Sequence, residues 1–155
     1  MNEYLNDSKQ EINRADHLIY VSLKYTRTVD VIKSIIERII NAYDFLIEGI
    51  LQQALDEERI SEKPVAAIQK AEKVRELYSS DESIISNMDF YLNLRKINRA
   101  KFTRFQEFRR HVTMTAIFDD NSKQEVNIDI IMEYYGRTKE FFSHVSSLLK
   151  EGEPA

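Results

Sequence analysis

Apolar residues recur at spacings of three and four over most of the chain, which is the pattern of amphipathic helices. The pattern predicts helices over residues 3–25, 29–58, 65–78, about 82–112 and about 128–150. We therefore expect an all-α fold, an up-and-down bundle of four to five helices. One domain is expected over residues 1–150, followed by a short disordered tail at 151–155.

Local signals mark the predicted helix ends. Thr28 is suited to cap the second helix, with Asp30 near its positive end. Pro64 is suited to the first turn of the third helix. Ser79 and Glu82 have the spacing of a capping box before the fourth helix, which is long enough to contain a kink or break at residues 98–101.

Residues 112–128 depart from the helical period. The first part, 112–118, is rich in β-branched residues, and the last part, 124–128, alternates between polar and apolar residues. Asp119 to Ser122 form a turn signal between them. This segment predicts a short β-hairpin between residues 113 and 128, with an ordered loop as the alternative.

Composition excludes several classes of protein. Hydrophobic residues make up 43% of the chain and charged residues 31%, and no apolar run approaches the length of a membrane span. The first residues lack the basic and apolar pattern of a secretory signal, so we expect a cytoplasmic protein with no membrane contact. Cysteine is absent and glycine occurs three times, which excludes thiolate chemistry and a glycine-rich nucleotide loop.

Neither a metal nor a cofactor is expected. Residues three positions before the histidines are Arg14, Phe108 and Phe141, so the Glu-x-x-His pairs of a di-iron bundle are missing. Polar residues on one side of the second helix have the spacing for a magnesium site: Glu37, Asn41, Asp44 and Glu48. We interpret them as a solvated face, because a wide apolar stripe lies opposite.

The distribution of positive charge is the most uneven feature of the chain, whose net charge is −4. Seven of the 22 basic residues fall within residues 95–111: Arg95, Lys96, Arg99, Lys101, Arg104, Arg109 and Arg110. Phe102, Phe105 and Phe108 alternate with them. A helix here would bury its phenylalanines and present a positive face that attracts phosphate. The alternative is a solvated face that pairs with carboxylates of neighbouring helices.

Arg104 and His111 are the candidate catalytic pair. Seven residues apart on one helix, they would share an azimuth about 10 Å apart along the axis. The imidazole moves a proton at neutral pH and the guanidinium binds phosphate, which are the groups needed for metal-independent cleavage of RNA. The predicted contacts to the RNA backbone are Arg99, Lys101, Arg109 and Arg110.

The segment from Arg104 to His111 resembles the HEPN superfamily of nucleotide-binding and ribonuclease domains, whose signature is an arginine, four to six residues and a histidine. The long apolar second helix and the closing helix from Asp129 are similar as well. The resemblance implies a homodimer that brings two such motifs to one cleft, and a nucleotidyltransferase-like antitoxin as a partner. The wide apolar circumference of the second helix also favours a homodimer.

Two alternatives stay open at this point. Arg137 and His144 have the same spacing as Arg104 and His111. Phe105 follows Arg104, where the family commonly has a small polar residue, and this departure concerns activity more than fold. The alternative function is therefore a catalytically inactive helical module for dimerisation or protein interaction.

Overall fold

The computed structural model of the protein describes residues 2–151. Its helices are α1 (Glu3–His17), α2 (Leu23–Tyr25), α3 (Val29–Asp56), α4 (Ala67–Leu77), α5 (Glu82–Arg99) and α6 (Ile128–Glu151), with a π-helical turn (Leu18–Ser22) between α1 and α2. The strands are β1 (Lys101–Phe105), β2 (Thr113–Ile117) and β3 (Lys123–Asn127). Helices contain 69% of the residues, which confirms the helical prediction. Residues 152–155 of the predicted tail lie outside the described residues.

α3 is the central helix of the bundle. Half of its residues are buried, 14 of 28, because α1, α4, α5, α6 and β2 all pack against it. Its wide apolar circumference is thus covered by the same chain, and the homodimer prediction loses that support. Even with this apolar helix included, none of the helices within residues 2–151 combines the length and hydropathy needed to cross a membrane.

Side chains cap the starts of α1, α3 and α5, through Asn2, Thr28 and Asp81. The Thr28 hydroxyl accepts a hydrogen bond from the amide of Val31 at 3.2 Å, as predicted for α3. The capping box predicted from Ser79 is wrong. The α5 cap is Asp81, whose Oδ1 accepts from the amide of Ile84 at 3.1 Å, because α5 begins only at Glu82.

The fourth predicted helix ends early. α5 stops at Arg99, and Ala100 adopts an extended conformation, with φ −69° and ψ 155°. The chain then enters β1, which pairs antiparallel with β2 from Lys101 opposite Ile117 to Phe105 opposite Thr113. The helix thus breaks within residues 98–101, the segment where a break was considered. Its predicted continuation to residue 112 is wrong, because the backbone of β1 forms hydrogen bonds with β2 instead of with its own next turn.

The predicted β-hairpin is confirmed as β2 and β3, and β1 extends it to a three-stranded antiparallel sheet in the order β1-β2-β3. The all-α expectation was therefore too narrow. Met114, Ala116 and Val126 are buried on one face of the sheet, against the bundle. Since residues directly opposite share a face, Arg104 lies on that bundle-facing side, opposite Met114. The sheet and the loop after β1 lie at the end of the bundle where α3 begins, because Arg104 contacts Asp30 and Glu107 contacts Val29.

Candidate nucleic-acid interface

Arg104 lies on β1, and its guanidinium is bound by two carboxylates. Nη2 donates to Oδ1 of Asp30 at 2.9 Å, and Nη1 donates to Oε1 of Glu107 at 3.1 Å. Hydrogen bonds to Asp30 and Glu107 raise the pKa of Arg104. The helical geometry predicted for Arg104 and His111 is wrong because α5 ends at Arg99. A phosphate would have to compete with both carboxylates for Arg104.

Glu107 attaches the loop after β1 to the start of α3. Its Oε2 accepts a hydrogen bond from the amide of Val29 at 3.0 Å, across 78 residues of sequence. This carboxylate satisfies one of the amides that a helix leaves unpaired at its N-terminus. The amide of Phe108 donates to the carbonyl of Arg27 at 2.6 Å. Residues 106–112, here called the basic loop, are therefore anchored on residues 27–30.

The basic loop has a strained backbone. Gln106 has φ 52° and Phe108 has φ 67°, and a bulky side chain in this left-handed region is an outlier that costs roughly 1–3 kcal/mol. Such a conformation persists only where surrounding contacts over-determine it, which the anchors through Glu107 and Phe108 do. In this conformation Phe108 is 73% exposed.

A hollow of about 290 Å³ lies where the basic loop meets the start of α6. Its lining residues are Arg27, Arg110, His111, Thr113, Asn127, Ile128 and Asp129. Three basic side chains thus face one carboxylate. Within residues 2–151, the guanidinium groups of Arg27 and Arg110 make no ion pair with a carboxylate. The structure brings His111 together with Arg110 and Arg27, but not with Arg104.

The remaining predicted RNA contacts are separated from this hollow. Arg109 is exposed within the basic loop. Lys101 is exposed at the opposite end of β1 from Phe105, a distance of about 13 Å along a strand. Arg99 lines a different hollow of about 460 Å³, together with Lys96 and Phe118. The basic residues of the predicted helix face therefore lie at both ends of β1.

The second arginine–histidine pair lies on α6 and faces α5. Arg137 donates from Nη2 to the carbonyl of Ser86 at 3.0 Å and from Nε to Oδ1 of Asn87 at 3.3 Å, and it lies over the Phe90 ring. His144 Nε2 lies 2.7 Å from Oδ2 of Asp81. Both polar groups thereby connect α6 to α5, which gives the pair a structural role.

Desolvation alone would raise the pKa of Asp81. Hydrogen bonds from His144 and from the amides of Ile84 and Ser83 outweigh it and lower that pKa below its ordinary value of 3.8. The Asp81 carboxylate is therefore stabilised in its charged form at the junction of α5 and α6.

The polar side of α3 is only in part the solvated face that we expected, because Glu37 is exposed whereas Asp44 and Glu48 are half-buried. Tyr91 donates a hydrogen bond to Asp44, and burial raises the pKa of Asp44 despite that bond. Glu48 pairs with Lys70 and, at 3.2 Å, with Lys63. Within residues 2–151, no group of three or more acidic or histidine side chains is arranged to hold a metal ion. These carboxylates instead connect α3 to its neighbours.

No protein-family model matches this sequence, no curated protein matches it, and no solved structure matches its fold. Arg27 was not among the predicted site residues, because only the fold brings residue 27 next to the basic loop. Phe105 and Phe108 were predicted to be buried, whereas both are exposed. Their three-residue spacing suited a helix as well as it suits the observed strand and loop.

Proposed function

We propose that this protein is a HEPN-like domain that binds RNA through the basic loop and the adjacent hollow. The observation that carries the proposal is that Arg27, Arg109, Arg110 and His111 lie exposed or half-buried at one end of the molecule. Unpaired arginines also occur elsewhere, but Arg27, Arg109 and Arg110 lie together, whereas Arg14, Arg38, Arg59 and Arg75 each pair with a carboxylate. A local excess of uncompensated cations in an acidic chain favours a polyanionic ligand.

Binding of labelled RNA, followed by fluorescence anisotropy over a range of salt concentrations, tests this proposal. We expect Arg110→Glu to weaken binding and to reduce the slope of log K against log salt by about 1, because one phosphate contact is lost. The matched control is Lys9→Glu, which makes the same charge change at an exposed position of α1. Equal losses in both variants, or no binding by the wild type at low salt, would contradict the proposal.

A second candidate activity, metal-independent RNA cleavage, is favoured by the presence of His111 in the same hollow as Arg27 and Arg110. In this scheme His111 accepts the proton of a 2′-hydroxyl, whose oxygen attacks the adjacent phosphorus. The 5′-oxygen leaves and takes a proton from water, which gives a 2′,3′-cyclic phosphate and a 5′-hydroxyl end. Arg27 and Arg110 would hold the phosphate in place of Arg104, whose guanidinium is bound to Asp30 and Glu107.

Incubation of RNA with the protein in EDTA tests cleavage. We expect His111→Ala to abolish it and His17→Ala, a change at an exposed histidine of α1, to leave it intact. If the wild type binds RNA but does not cut it, the protein is an RNA-binding domain without ribonuclease activity. The homodimer and the nucleotidyltransferase-like antitoxin that the HEPN resemblance implies stay predictions.

The competing interaction module is supported by a different surface. Tyr20, Val21 and Tyr25, at and after the π-helical turn, are 52%, 43% and 78% exposed. Exposed apolar groups of this kind are typical of protein interfaces. A protein that forms a dimer in light scattering and binds no RNA would favour this function over the first.

A further inference from the structure

Phe105 and Phe108 are the two exposed phenylalanines of the chain. They are 59% and 73% exposed, whereas the other six are buried or half-buried: Phe45, Phe90, Phe102, Phe118, Phe141 and Phe142. Large aromatic rings gain free energy when they leave water. The exposure of two phenylalanines beside a cluster of arginines therefore suggests a function for their rings.

The backbone of both residues is fixed by hydrogen bonds. Phe105 is the last residue of β1, and its backbone is in register with Thr113 of β2. Phe108 has a positive φ; its backbone N–H donates a hydrogen bond to the carbonyl of Arg27, and the neighbouring Glu107 accepts one from the amide of Val29. The fold thus presents Phe105 from a paired strand and Phe108 from an anchored loop residue with a positive φ.

Both residues are also direct neighbours of residues that line the hollow of about 290 Å³. Thr113, which is opposite Phe105, lines the hollow, and so does Arg27, whose carbonyl accepts from Phe108. Arg109 and Arg110 follow Phe108 directly in the sequence. Exposed aromatic rings next to a positive groove are how proteins bind single-stranded nucleic acid, because every unpaired base offers a face for stacking.

We propose that Phe105 and Phe108 stack on unpaired bases of an RNA strand whose phosphates contact Arg27 and Arg110. The ligand of the basic loop and the adjacent hollow is then single-stranded, because the bases of a duplex are stacked on one another and cannot reach these rings. This inference rests on the proposed function and adds the class of RNA that the site accepts.

Fluorescence anisotropy with a short single-stranded RNA, and with a blunt duplex of the same sequence, tests the inference. We expect Phe108→Ala and Phe105→Ala each to weaken single-strand binding roughly tenfold and to leave the salt slope unchanged, because no phosphate contact is lost. Phe108→Tyr keeps a ring and should restore binding. The matched control is Val65→Ala, at an apolar residue outside the basic loop that is 89% exposed. This variant should bind as the wild type does.

The outcomes separate this inference from the proposed function. Equal affinity for single strand and duplex, with no effect of Phe108→Ala, overturns base stacking and leaves the proposed function in place. Absence of binding to either RNA overturns both. If polyglutamate displaces the labelled RNA as effectively as unlabelled RNA does, the surface binds an acidic protein. That result also overturns both base stacking and the proposed function. Thermal unfolding of each variant shows that it is folded in the assay.

Discussion

Residues 104–111 and residues 137–144 have the same spacing from arginine to histidine, but only the second pair lies on one helix. In α6, Arg137 and His144 both contact α5, through Ser86, Asn87 and Asp81. In the first segment, Arg104 belongs to a strand and His111 belongs to the basic loop. The two arginines of the loop, Arg109 and Arg110, make no ion pair with a carboxylate within residues 2–151. Spacing alone therefore does not distinguish a binding segment from a structural one.

The sequence around the second pair complicates the choice between them. Thr138, a small polar residue, follows Arg137, as is common in the HEPN signature, whereas Phe105 follows Arg104. The Thr138 hydroxyl donates to the carbonyl of Tyr134 at 2.7 Å and is buried within α6. The second pair thus has the more family-like pattern, and the first has the more accessible charges. Variants at matched positions of the two segments decide which difference matters.

The largest expected effect on stability is at Arg137. Arg137→Ala removes hydrogen bonds to Ser86 and Asn87 and the contact over Phe90. We expect the free energy of unfolding to fall by about 2 kcal/mol. Arg110→Ala should change it by less than about 0.5 kcal/mol, because Arg110 is exposed. Urea unfolding of both variants measures this difference, and a larger loss for Arg110 would contradict the contrast.

The histidines should separate stability from activity. His144→Ala removes the partner of Asp81, so we expect a loss of about 1 kcal/mol in the free energy of unfolding. His111→Ala should leave stability within about 0.5 kcal/mol of the wild type. The cleavage assay in EDTA is then repeated with both variants. If His144→Ala loses cleavage at a temperature where it is folded, and His111→Ala does not, the working pair lies on α6.

A substitution at Phe108 should stabilise the fold. Glycine adopts φ 67° without strain, and the exposed ring contributes little to packing. We expect Phe108→Gly to raise the free energy of unfolding by about 0.5–1 kcal/mol while it weakens binding of single-stranded RNA. Differential scanning calorimetry measures the first effect. A destabilised Phe108→Gly variant would show that the ring has a packing role instead.

The smallest expected effect depends on pH. The pKa of Asp81 is lowered in the folded state, so its contribution to stability is present above the unfolded value of 3.8 and is lost as the pH falls through the folded value. Asp81→Asn keeps the helix cap and loses the charge. We expect it to be less stable than the wild type by under about 1 kcal/mol near neutral pH, and equally stable once the pH is below the folded pKa of Asp81. A constant difference across this range would exclude the ionic contribution.

Much of the fold was predictable from local pattern. The stripes of α1, α3 and α6 and the Thr28 cap were recognised because helical periodicity and capping depend on residues within a few positions of one another. The hairpin of β2 and β3 was recognised for a similar reason, since its turn signal lies between its two strands. The density of basic residues from 95 to 111 is likewise a property of the sequence itself.

The candidate site was decided by contacts between distant residues. β1 forms because its backbone pairs with β2, and the basic loop takes its strained form because Glu107 caps Val29 and Phe108 binds Arg27. These contacts leave no periodic pattern in the sequence, so the spacing of the phenylalanines and arginines was equally compatible with a helix. By itself the sequence determined that this segment is basic and aromatic. Only the tertiary structure decided that Arg104 is paired, that Phe105 and Phe108 are exposed, and that Arg27 joins His111, because hydrogen bonds across 78 residues select one backbone among several allowed ones.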